Sequence, residues 1–366
     1  MATRGAAARV HLERLLRVGT CLAMCGYGAQ VAQLAGTARA FRADAQLWTA
    51  HARHKGPGGR TVLIHAAWTG NVPRILFLLE RGADVEAVEE DGCTALMRAS
   101  EAGHCEASRM LVELGDANVN AVMTDDDFTA LMWASQEGHL EIVRFLVERG
   151  GANVNAGRTT DGKTALMWAS NFGYLEIVRF LVEHGGANVN AVQTDDGATA
   201  LMLASFNGYL EIVRVLVERG GVNVNAVRTI DGGTALTLAS EKGHHEIVRC
   251  LVERGGANVN AAMTSGQTAL MCASQFGRFE SARCLLEHGA NADAVRALCG
   301  RTPLMLASMS DHAAIVRLLL ERGANKQLLC HAGRSALDYA ADQPVVLAAL
   351  AQDPRALPCA ALLACD

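Results

Sequence analysis

Aromatic residues are scarce: phenylalanine, tryptophan and tyrosine together make up 5% of the 366 residues, although half of the chain is apolar. The apolar mass is therefore alanine, leucine and valine, which suits thin, closely stacked helices better than a thick mixed core. Positive charge is not in excess either, since the formal net charge is −5. A general nucleic-acid binder carries a distinctly basic balance, so the charge argues against that class. No apolar run approaches the length that spans a bilayer, and no membrane segment is expected. Eleven cysteines, an odd set, run from Cys21 to Cys365 without regular spacing. Such usage fits thiols kept reduced in cytosol or nucleus rather than a secreted disulfide framework. Motifs that carry chemistry are missing too: there is no Gly-rich phosphate loop and no nucleophile elbow, so neither catalysis nor a cofactor is expected.

What the chain does have is a repeat. A Thr-x-Leu marker falls at Thr61, Thr94, Thr129, Thr164, Thr199, Thr234, Thr268 and Thr302, with a serine version at Ser335. The steps between markers are 33, 35, 35, 35, 35, 34, 34 and 33 residues. Between them runs one template, clear in Thr164-Ala-Leu-Met-Trp-Ala-Ser, then Gly173-Tyr-Leu-Glu-Ile-Val-Arg-Phe-Leu-Val-Glu, then Gly185-Gly-Ala-Asn-Val-Asn. Threonine caps a short first helix by accepting from its free amides. The small pair Ala169 and Ser170 lets neighbouring helices approach, and Gly173 breaks the chain into a turn. Leu175, Ile177, Val178, Leu181 and Val182 recur at helical spacing as the apolar stripe of a second helix. Gly185 and Gly186 supply the left-handed backbone that ends it. Asn, Asp and Gly then make a hairpin-like turn between copies. One such unit cannot bury its own apolar face, so copies must stack.

This template resembles the ankyrin repeat, whose core reads Thr-Pro-Leu-His-x-Ala-Ala, a glycine turn, a second helix and Gly-Ala-Asp-Val-Asn. Thr302-Pro-Leu-Met-Leu-Ala-Ser matches the opening best and Gly82-Ala-Asp-Val matches the close. The resemblance covers about residues 59–352, as eight full copies and a degenerate ninth. It implies an all-α ankyrin-repeat solenoid with hairpin-like loops, acting as a protein-interaction module. One departure stands out: the family's histidine is replaced by Met97, Met132, Met167, Met202, Met271 and Met305, and by Thr237. A thioether fills space but fixes geometry less firmly. A further residue in the Asp-rich turn of the longer copies predicts slightly longer hairpin tips.

A stack exposes an apolar face at each end that something must cover. Residues 1–58 are not a repeat; Leu12, Leu15, Leu16, Leu22, Val31 and Leu34 suggest helices, and a helical cap is the expectation. Arg4, Arg9, Arg14 and Arg17 give the extreme N-terminus the bias of an organelle transit peptide, which stays open beside a cytoplasmic or nuclear location. Val31 to Trp48 resembles the second half of an F-box, without that motif's Leu-Pro opening. This resemblance implies an alternative function, a substrate adaptor for a cullin-type ubiquitin ligase. The structural alternative is that Phe41, Leu47 and Trp48 plug the first repeat. At the other end, Pro354 and Pro358 stop the last helix and residues 353–366 form a tail.

The histidines and acids have ordinary readings. His104, His139 and His244 share a template slot with Tyr174 and Tyr209, so they are structural residues near the turn. Cys21, Cys25, His51 and His54 do not follow a zinc-finger pattern, and Asp125, Asp126, Asp127, Asp195 and Asp196 lack the alternating ligands of a calcium loop. No metal site is expected.

Repetition also provides a control for binding. Positions constant between copies are held by stacking; positions that change are free for a partner. The changing pair before the turn glycine includes Trp68, Gln136, Glu137, Asn171, Phe172, Phe206, Asn207, Lys242, Gln275 and Phe276. In ankyrin repeats these places line the concave groove together with the hairpin tips, here Met123, Arg158, Gln193 and Arg228. Phe172, Phe206 and Phe276, flanked by Asn and Gln, are candidate anchors for a protein partner. Trp133 and Trp168 fall in a mid-helix slot shared with Leu203, Cys272 and Arg98, and read as partly buried packing residues. The chain is expected to act as a monomer.

Overall fold

A computed structural model of the protein describes residues 57–219 and 221–351. The expected N-terminal cap, the F-box-like stretch, the candidate zinc ligands and the C-terminal tail lie outside these residues. Among the described residues there are eighteen α-helices and a short 3-10 turn at Pro57–Gly59, with no strand beyond an isolated bridge between Ala262 and Thr268. The chain divides into two compact units, Met1–Thr160 and Asp161–Asp366.

In the first unit three helix pairs follow one another: Val62–Trp68 with Val72–Glu80, Ala95–Glu101 with Cys105–Glu113, and Ala130–Gln136 with Leu140–Glu148. In the second unit six pairs run from Ala165–Phe172 with Leu175–Glu183 to Ala336–Tyr339 with Pro344–Ala351. Within each unit first helices pack on first helices and second helices on second helices. This is the all-α repeat solenoid that the periodicity implies.

The helix starts follow from the marker residue. Thr164 sits in extended backbone and its side chain accepts from the Met167 N–H; the equivalent bond forms at Thr61, Thr94, Thr129, Thr199, Thr234, Thr268, Thr302 and Ser335. Each cap satisfies one of the amides a helix start leaves unpaired. Two side chains in the family's histidine slot complete a reciprocal box: Thr237 Oγ1 accepts from the Thr234 N–H at 2.8 Å, and Met97 Sδ accepts from that of Thr94 at 3.5 Å. The remaining methionines are buried packing residues.

Two details of the template need correction. The second-helix stripe is Ile177, Val178, Phe180 and Leu181, all buried, while Leu175 and Val182 are only half-buried at its margins. Of the glycine pair only Gly186 is left-handed, with φ 66°. Gly185 is favoured by space instead: a Cβ there would stand 3.0 Å from the Leu181 backbone, a tight approach.

A backbone hydrogen bond closes the hairpins that open at Glu89, Met123, Gln193, Arg228, Met263, Arg296 and Cys330. It joins Met123 to Phe128, Gln193 to Ala198 and Arg228 to Gly233 across four intervening residues, against three between Glu89 and Cys93 or Met263 and Gln267. The longer copies thus carry longer tips. Within each unit a side-chain oxygen then ties one loop to the next, from an asparagine in most copies and from Glu86 and Asp293 in two. Asn190 Oδ1 accepts from the Asn223 N–H at 2.7 Å while its Nδ2 donates to the Gly221 carbonyl at 3.3 Å. Asn120 and Asn260 make the same pair of bonds one repeat onward.

Candidate protein-binding face

Seven of the nine described first helices end in two residues before a left-handed glycine, while the helix Pro303–Met309 has Asp311 there with φ 58°, and this end carries the candidate face. Its backbone is held from the following repeat. The His104 Nε2 lies 3.0 Å from the Trp68 carbonyl, and the His139 Nε2 lies 3.0 Å from that of Glu101. In the second unit the His244 Nε2 reaches the Phe206 carbonyl at 3.1 Å and the His312 Nε2 reaches that of Gln275 at 3.2 Å. Arg278 takes the same place by donating from Nε to Glu241 O at 3.0 Å. A histidine that donates here carries its proton on Nε2. The slot read as structural is therefore a clamp on the very carbonyls of the variable pair, a link that sequence spacing alone does not reveal.

The clamp explains the glycine. Gly208 has φ 86°, and a Cβ on it would meet the His244 ring at 2.7 Å. Gly173 stands in the same relation to the Tyr209 ring, and Gly103 to that of His139. Ring and glycine are a matched pair: the ring lies flat where a side chain would be.

Clamped in this way, the variable side chains face outward. In the second unit Phe172 is 45% exposed, Phe206 40% and Phe276 42%, and in the first unit Trp68 is 45% exposed. Asn207, Lys242 and Glu137 are exposed, while Asn171, Gln136 and Gln275 are half-buried. The aromatic rings are supported from the side. Phe172 stacks on Trp168 with centroids 6.1 Å apart and planes 10° from parallel, and the Lys163 ammonium lies 5.0 Å over Trp168. The Lys242 ammonium lies 4.3 Å over Phe206, and Arg60 covers Trp68 at 4.9 Å.

The structure brings some of the candidates together. Asn207 Nδ2 donates to both the backbone and side-chain oxygens of Asn171 at 3.2 Å, and to Leu203 O at 3.1 Å. Gln136 Nε2 donates to Glu137 Oε1 at 2.9 Å, and Gln275 Oε1 accepts from Gln267 at 3.4 Å. Phe276 occupies the Phe172 slot on the fourth first helix of the unit, beyond the one that carries Lys242.

The hairpin residues are a correction. Met123 is 7% exposed and Gln193 5%, so neither stands at a tip. Each opens its hairpin by making the closing bond, which turns its side chain under the loop. Met123 Sδ rests 3.2 Å from Cys93 Sγ of the preceding hairpin. Arg158 and Arg228 are half-buried: the first lies over Phe128 at 5.5 Å, the second bonds Asp231. The outward positions follow one or two residues later, at Thr124, Asp125, Thr194, Asp195 and Ile230.

Beneath the face the mid-helix slot changes from copy to copy within both units. In the first, the Arg98 guanidinium binds Glu89 at 2.7 Å, Asp91 at 2.5 Å and Glu101 at 2.8 Å, which ties down one of the variable-pair acids. In the second, Cys272 is buried, and burial pushes its thiol up to about 12; Cys93, in the first unit, is pushed up to about 12 for the same reason. Such thiols stay protonated and inert at neutral pH. In the Asp-rich turns, Asp196 Oδ1 accepts from the Ala198 N–H at 2.8 Å and Asp127 supplies a left-handed residue with φ 52°, while Asp126 reaches Arg158 of the following hairpin at 3.7 Å.

Helix pairs stacked in series, with their variable side chains clamped outward, define a repeat protein whose surface is made for contact. The family model for ankyrin repeats (3 copies) matches residues 31–123, 63–158, 150–228, 220–296 and 291–356. The chain belongs to the ankyrin-repeat proteins, whose repeats are generic protein–protein interaction modules. The match takes in Val31 to Trp48, and no F-box match accompanies it there. No curated protein matches the chain. Among the described residues, no helix is long and apolar enough to cross a membrane.

Proposed function

We propose that this protein is a non-catalytic module that holds a partner protein on the ends of its first helices, with Phe172, Phe206 and Phe276 as the principal anchors. One observation carries the reading: in the second unit, three phenylalanines at the variable pair are each at least 40% exposed, while apolar side chains at the template's constant first-helix positions are buried. Exposed aromatics with a polar surround are what interaction patches are built from. Their backbone is fixed from the next repeat, so binding costs little ordering entropy.

The test is the triple substitution of Phe172, Phe206 and Phe276 by serine. None of the three is a core residue, so far-UV circular dichroism and the melting temperature should stay close to wild type. Capture of partner proteins should fall by at least about thirtyfold, since each anchor is worth roughly 2 kcal/mol. Capture that survives with the fold intact removes this face from the function.

A further inference from the structure

The Asn171–Asn207 pair has hydrogen-bonding capacity left over, and what is left over has a definite shape. The Asn207 amide nitrogen is saturated, facing Asn171 O, Asn171 Oδ1 and Leu203 O at 3.1–3.2 Å. That leaves Asn207 Oδ1 as an unused acceptor. Asn171 spends its Oδ1 on the same link, which leaves its Nδ2 as an unused donor. Two asparagines on successive helices, each orienting the other, thus present one N–H and one C=O on an exposed face. A peptide backbone presents the complement, and in extended conformation the N–H and C=O of one residue point to the same side.

The surroundings narrow the occupant. Phe172 follows Asn171 and Phe206 precedes Asn207, so the amide pair is set between two exposed rings. Neither asparagine nor either phenylalanine carries charge. The nearest cation of the variable pairs, Lys242, is engaged with the Phe206 ring and lies 3.7 Å from the Glu241 carboxylate. An uncharged strip complements an uncharged segment, and a strongly acidic or phosphorylated one would lose its hydration without a counter-charge.

We propose that the Asn171–Asn207 amide pair clasps the backbone of an extended, uncharged peptide segment of the partner, whose apolar side chains rest on Phe172 and Phe206. In an extended chain, side chains on one face recur every second residue, about 6.6 Å apart. The recognised segment therefore reads as an apolar-x-apolar stretch free of charge clusters. This rests on the first-helix face being the binding face and goes beyond it by specifying a linear segment rather than a folded surface.

The experiment selects peptides from a displayed library of random linear 12-residue peptides on the full-length protein, then measures the selected sequences by fluorescence polarisation. Two changes probe the clasp. Asn171→Asp keeps the oxygen that accepts from Asn207 but turns the outward donor into an acceptor. N-methylation of single peptide residues removes the donor that Asn207 Oδ1 would receive. The expected result is selection of apolar-x-apolar peptides, with affinity falling about tenfold or more for Asn171→Asp and for one N-methyl position. Peptides that respond to Phe172→Ser and Phe206→Ser, yet are indifferent to Asn171→Asp and to every N-methyl position, overturn the clasp and leave the face standing. Failure to select any linear peptide, with partner capture still abolished by the triple phenylalanine variant, does the same and points to a folded surface. Selected peptides insensitive to the phenylalanines overturn both the clasp and the face.

Discussion

A single residue type, glycine before the second helix, joins backbone geometry to the binding face. At Gly208 two demands coincide: a left-handed backbone that L side chains disfavour, and the His244 ring occupying the space of a Cβ. Gly221 isolates the first demand, because its φ is 63° but nothing lies within 4 Å of a Cβ. Gly221→Ala should therefore cost about 1 kcal/mol, the ordinary left-handed penalty. Gly208→Ala should cost about 2–4 kcal/mol, because it must also displace the ring and break the bond to the Phe206 carbonyl. Urea denaturation of the two variants measures the difference. Adding His244→Ala to Gly208→Ala should make the glycine substitution itself cheaper, bringing it toward the Gly221 value; equal costs throughout would mean that the ring does not press on the turn.

At the scale of the element, the helices were legible and the hairpins only half so. Ile177, Val178 and Leu181 follow helical spacing, and the threonine cap has a fixed chemistry, so the starts and buried faces of the helices could be read from residues alone. Hairpin residues follow neither a helical nor a strand period. Variation between copies at Met123 and Gln193 suggested exposure, yet it reflects different side chains fitted under each loop. The exposure of Phe172, Phe206 and Phe276 was legible because variable slots alternate with buried ones on a helix whose faces are known. The histidine clamp was not, since it joins residues 36–38 positions apart through a carbonyl that no side-chain pattern records. The hairpin also carries the fold's acid sensitivity. Burial works to raise the Asp231 carboxyl, but the Arg228 guanidinium and the Gly233 N–H, 2.8 Å from Oδ1, together hold it below the ordinary value. A carboxyl depressed in the folded state contributes stability above its unfolded pKa and loses it as pH falls through the folded one. Asp231→Asn should therefore lower stability at pH 7, and its difference from wild type should close below about pH 4. A difference that persists unchanged at pH 2.5 would assign the effect to the hydrogen bonds alone.

Over the second unit as a whole, contacts between repeats are transferable as well as repeated. A stack in which each copy touches only its neighbours has a stability close to a sum of repeat and interface contributions. Deletion of residues 199–233 removes one complete period and joins Ala198 to Thr234. The surviving edges are complementary: Asn190, relieved of Asn223, meets the equivalent N–H of Asn258, which Asn225 holds in the intact chain. Gly173, relieved of the Tyr209 ring, meets His244, which already lies against Gly208 in the intact chain. His244 Nε2 in turn meets the carbonyl of Asn171, the counterpart of the Phe206 carbonyl it now holds. The shortened chain should fold cooperatively with a smaller denaturant dependence, since less surface is exposed on unfolding. It also lacks Phe206 and Asn207, half of the amide clasp, while keeping Phe172 and Phe276. Partner capture should then fall although every remaining interface is of native type, which separates recognition from architecture in one protein. A deletion variant that unfolds broadly or aggregates would show that the copies are not interchangeable, and that specific side chains between particular neighbours, rather than the common template, hold the stack in register.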